Sequence, residues 1–114
     1  MSDGFLFMLQ RLSALVLAPL VIVHLLVILW AVEGGLSGAE ILERTRGSTA
    51  LALFYGLFVI AAAIHAPIGL RNVLQEWTGI DRRWIDFTML GLAIILLLTG
   101  FRAVLAVTAT GIAA

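Results

Sequence analysis

Residues 12–32, LSALVLAPLVIVHLLVILWAV, run for 21 positions without a formal charge, bounded by Arg11 and Glu33. An α-helix rises 1.5 Å per residue and needs roughly 20 residues to cross about 30 Å of bilayer hydrocarbon, so this stretch reads as a membrane span. A second run, 47–70, covers 24 positions between Arg46 and Arg71. The third, 87–101, covers only 15 before Arg102 and resumes over 103–114. A helix that starts near Trp84 carries Arg102 about 27 Å along its axis, where the side chain reaches the far interface and snorkels. The spacing predicts an all-α membrane protein, one anchor domain over 1–114 with three transmembrane helices at about 10–32, 50–75 and 84–108. Pro19 and Pro67 bend the first two helices. Trp30, Trp77 and Trp84 fall near span ends, as interface anchors do. The segment 33–49, with Gly34, Gly35, Gly38 and Gly47, reads as a surface connection.

Composition agrees. The chain is 62% hydrophobic and 12% charged, with mean hydropathy +1.14, whereas soluble domains carry about 45–50% apolar and 25% charged residues. So few charges cannot cover a soluble monomer. The absence of cysteine excludes disulfides, thiolate chemistry and iron–sulfur ligation within this chain. All seven basic residues are arginines, balanced by seven acids, so no basic face exists for nucleic acid. Arg11, Arg71, Arg82 and Arg83 share a side with the amino terminus, against Arg44, Arg46 and Arg102 on the other. The positive-inside rule then places the amino terminus in the cytoplasm. The first run is too long for a signal-peptide core, and Glu33-Gly-Gly-Leu is a turn rather than a cleavage site.

The chain's two histidines, His24 and His65, both lie inside spans. Ionisable groups there are costly and mark function by default, although a neutral histidine can also serve as an interhelical hydrogen-bonding group. A proton relay would recruit deep carboxylates; haem requires imidazole, a slot and an apolar wall. Ser13, Leu17, Leu20, Val21, His24, Ile28 and Ala31 share one helix face. Phe58, Ala61, Ala62, His65, Gly69 and Asn72 share another, with Gly69 leaving room for a porphyrin edge. With Arg11 and Arg71 as depth markers in antiparallel helices, the two histidines differ in depth by about 10 Å. On that arithmetic they do not ligate one iron. Each binds a different haem completed by another chain, or one is structural.

The stretch Leu9-Gln-Arg-Leu-Ser-Ala-Leu, followed by His24, resembles the first span of the cytochrome b membrane anchors of succinate:quinone oxidoreductases and fumarate reductases. The shared pattern is an arginine (Arg11), a hydroxyl two residues on (Ser13), a small residue (Ala14) and a histidine 13 residues after the arginine. His65-Ala-Pro-Ile-Gly-Leu-Arg, with the amphipathic exit 72–77, is similar to the end of the family's second span, and Gly100-Phe-Arg-Ala to the basic end of its third. The resemblance implies half of a pseudo-symmetric helical bundle: one of two small anchor chains, or half of a fused di-haem cytochrome b. It implies haem b, with His65 and His24 as axial ligands completed by a second anchor chain. It also implies an iron–sulfur subunit, a flavoprotein subunit that carries the dicarboxylate chemistry, and membrane quinone as substrate. His65 would serve the haem nearer the soluble subunits and His24 the one nearer the opposite face. Arg11 and Ser13 are the first candidates for quinone or haem-propionate contacts, Arg71 and Asn72 the second. The family often has His and Gly where Gln10 and Ala14 stand, and some members a serine in place of Phe7.

Two other readings compete. A haem-free membrane scaffold would use its histidines only as hydrogen-bonding groups between helices. A transporter subunit would need deep carboxylates and broken, inverted-repeat helices, and the sequence offers neither.

Overall fold

A computed structural model of the chain describes residues 2–110. It contains four helices in sequence: α1 (Asp3–Gly34), α2 (Gly38–Thr45), α3 (Thr49–Trp77) and α4 (Arg82–Thr108). Each start is capped by a side chain of the type that satisfies orphan amides. Ser2, Ser37 and Ser48 accept from the amides of Phe5, Glu40 and Leu51, each at 3.2 Å, and Asp81 accepts from Arg83 at 3.0 Å. The three long helices are apolar enough to cross a membrane. At 32, 29 and 27 residues they are about 40–48 Å long, so their ends project beyond the hydrocarbon.

Two boundaries differ from the sequence reading. The first helix starts at Asp3, not near residue 10, because Ser2 caps it and Asp3 places a carboxylate at the positive end of the helix dipole. The connection 33–49 holds an extra helix, α2, started by the Ser37 N-cap, whose hydroxyl also donates to Glu40 Oε1 at 2.6 Å. Gly35 permits the turn into it. Its φ is +99°, and a Cβ there would fall onto the Glu40 carboxylate. The second and third spans agree to within two residues, and 111–114 of the predicted third run lie outside the described residues.

Helix α3 is the middle of the bundle, packed along both α1 and α4. Ala61, Ala63, Pro67 and Ile68 are buried on it, and such small residues let membrane helices approach closely. A close approach falls at Gly100 of α4, where a Cβ would lie 2.5 Å from Val59 Cγ1. At one end all three long helices meet in a cluster of Leu6, Ile68 and Met89. At the other end α2 is tied to the end of α4: Thr45 Oγ1 donates to the Val107 carbonyl at 2.6 Å and the Gly47 amide to Thr108 at 2.7 Å. Most large apolar side chains of α1 face outward, among them Leu15, Ile22, Leu26 and Leu29, toward lipid or another chain.

Candidate functional site

The inward face of α1 is Ser13, Leu17, Leu20, His24, Val27 and Ala31, each buried or half-buried. The face is that of the sequence reading with Val27 in place of Ile28, and Val21 is exposed. Both histidines lie on inner faces and both are half-buried.

His65 meets α1 directly. Its Nδ1 lies 3.2 Å from Ser13 Oγ, and that hydroxyl donates to the Gln10 carbonyl at 3.0 Å. Ser13 is 5% exposed. One turn along, Gly69 faces Gln10, whose Nε2 lies 3.4 Å from where a Cβ would stand. The neighbour of Gly69 within the chain is therefore a glutamine side chain.

His24 occupies the opposite half of the bundle. Its ring stands edge-on to Tyr55 and Phe58, with centroids 5.8 and 5.4 Å away. Together they line a cleft of about 310 Å³ with Val59, Gly100, Ala103 and Val107, so that all three long helices contribute a wall.

These contacts fix the register of α1 on α3 and enlarge the depth offset. His24 is eleven residues beyond Ser13, about 16 Å along the helix, against about 10 Å from the arginine markers. The markers are not level: with Ser13 opposite His65, Arg11 stands about one turn deeper than Arg71. No single iron can lie between rings so displaced, because the bonds it makes to imidazole nitrogens are only about 2 Å long.

The four polar candidates separate. Ser13 points inward, whereas Arg11, two residues earlier, is exposed with its guanidinium 5.6 Å from the Phe7 ring centroid. Asn72 is exposed. Arg71 is 4% exposed and bound by two carboxylates, Nε to Asp86 at 2.8 Å and a terminal nitrogen to Asp3 at 3.1 Å. Arg82 also pairs with Asp3. The cluster joins the starts of α1 and α4 to the end of α3. The sequence reading missed it; the signal was present in Asp86, a carboxylate two residues inside the third predicted span.

As a donor set for haem, the residues fit one ligand at a time. Among the described residues no three His, Asp or Glu side chains converge as a metal site. Each histidine instead presents one imidazole on an inner face, beside buried alanines at His65 and an apolar cleft at His24. To hold haem, either histidine would need a second imidazole and a second wall from another chain.

A family model for the succinate dehydrogenase/fumarate reductase transmembrane subunit matches residues 2–101. No curated protein and no solved structure gives a significant match to the chain.

Proposed function

The chain belongs to the succinate dehydrogenase/fumarate reductase transmembrane-subunit family, and on that premise we propose that it is the haem b-binding anchor of a succinate:quinone oxidoreductase. In this role it docks an iron–sulfur subunit, with a flavoprotein beyond it, and carries electrons between them and membrane quinone. The observation that supports the reading is the pair of half-buried histidines on the inner faces of α1 and α3. His65 and His24 are the residues that would hold haem b, each with a second imidazole from a partner anchor chain. When bound, haem supplies a one-electron relay whose potential the surrounding protein tunes.

This chain's own residues then divide the work. The Arg71–Asp3–Asp86 cluster holds the helix ends in register below the docking face. Arg11 and Asn72, exposed toward a second chain, are the quinone or haem-propionate contacts of choice; Arg71 is already engaged by carboxylates. The amino terminus lies on the cytoplasmic side of a bacterial inner membrane.

The Ser13–His65 contact also favours a second reading, a haem-free anchor whose histidine bonds only to its neighbouring helix. Purified membranes decide between them. Succinate should produce the reduced b-type absorbance in membranes containing the complex. No succinate-dependent band, with the three partner subunits present, refutes haem binding.

A further inference from the structure

We infer that Ser13 is a positioning residue for His65, accepting the Nδ1–H so that Nε2 is left as the iron-binding nitrogen; this rests on the haem-ligand reading of His65. The argument is one of counting hydrogens. A serine hydroxyl has one hydrogen and two lone pairs. The Ser13 hydrogen is directed at the Gln10 carbonyl, 3.0 Å away, one turn back along α1. Toward His65 Nδ1, at 3.2 Å, the oxygen has only lone pairs to offer. Nδ1 must therefore carry the proton, and a neutral imidazole protonated at Nδ1 has its free lone pair on Nε2. The contact selects a tautomer as well as an orientation.

The placement is specific. Only two residues of the 32-residue α1 are buried within the chain, Leu6 and Ser13. A hydroxyl in that position, 5% exposed, is shielded from competing water, which strengthens the bond. Serine brings α1 little helix propensity and little apolar contact, so its interhelical bond is its main contribution there. Metal-ligating histidines characteristically donate their second N–H to an acceptor, which raises the basicity of the bound nitrogen. A more basic imidazole favours ferric over ferrous iron. Ser13 therefore lowers the potential of the haem that His65 holds.

The test uses the intact, detergent-purified complex with Ser13→Ala and Ser13→Thr, followed by haem-to-flavin ratio and redox titration of the b-type absorbance. Ser13→Ala should raise the reduced-to-oxidised ratio of one haem about tenfold at a fixed ambient potential, equal to 59 mV for one electron. Ser13→Thr, which keeps the hydroxyl, should titrate as the parent does. Haem loss in Ser13→Ala with retention and parental potential in Ser13→Thr supports the same role. If the two variants behave alike, whether both parental or both altered, the positioning role is overturned. His65→Ala separates this from the reading beneath it: full haem content in that variant refutes His65 as ligand, whereas haem loss there with a silent Ser13→Ala refutes only Ser13.

Discussion

Gly100→Ala tests the seam on which the His24 cleft depends. The added Cβ would stand 2.5, 3.0 and 3.3 Å from Val59 Cγ1, Cγ2 and Cβ, where carbon atoms prefer about 3.5–4.0 Å. Valine has little rotamer freedom in a helix, and any turn of its isopropyl group leaves one methyl, and Cβ itself at 3.3 Å, too close. Relief must come from α3 and α4 parting by about 1 Å. Overpacking of this kind costs about 1–3 kcal/mol, and the alanine returns about 1 kcal/mol of helix propensity. The net loss should be about 0–2 kcal/mol, expressed in full because packing rather than the hydrophobic effect holds helices together in lipid. The assay is unfolding of the micelle-bound chain by added dodecyl sulfate, followed by helicity, for Gly100→Ala, Val59→Ala and the double variant. The propensity gain cancels in the cycle, leaving a coupling of about 1–3 kcal/mol in which Val59→Ala rescues Gly100→Ala. Additivity within about 0.5 kcal/mol would refute the close approach of α3 and α4 at this position.

At the other end of the bundle, Asp86→Asn should destabilise the chain more than Arg71→Met does. The first leaves a buried guanidinium short of a partner, whereas the second leaves carboxylates exposed enough to hydrate. The Asp86→Asn cost should fall between the ~1 kcal/mol of an exposed pair and the ~3–5 kcal/mol of a buried one, and the reverse order in the same unfolding assay refutes it. His24→Ala and His65→Ala should each remove a different b-type species from the complex; loss of the same species, or unchanged haem in His24→Ala, contradicts separate haems. Arg11→Leu should lower quinone reduction more than electron transfer from succinate to a soluble dye, and equal losses would indicate an assembly defect instead.

The three spans are legible because charged residues punctuate apolar runs of the right length, a signal set by the bilayer rather than by packing. Helix α2 is not, since its eight residues lie among glycines and its Ser37–Glu40 cap is too short a pattern to outweigh them. The histidines are legible as out of place in lipid, and their non-equivalence follows from depth alone. The size of the offset does not follow, because Arg11 is no boundary: Ser2 and Asp3 start the helix eight residues earlier. Ser13 is the right residue type at the right spacing, but its pairing with Arg11 fails. Two residues along a helix is about 200° around it, so one side chain reaches α3 and the other faces out. Which residue lies across an interface is a property of two helices, and no single run contains it.

The ties from α2 to the end of α4 also order events in time. Thr45 waits for a carbonyl 62 residues further along the chain. At 5–20 residues per second, a ribosome takes about 3–12 s to deliver it. During that interval α1 has been made while α3 and then α4 are still being synthesised, and the carboxyl end of α2 has no tie to α4. The tie between the first connection and the end of α4 therefore forms only after the third span has been made, which puts it among the last contacts of the fold to close.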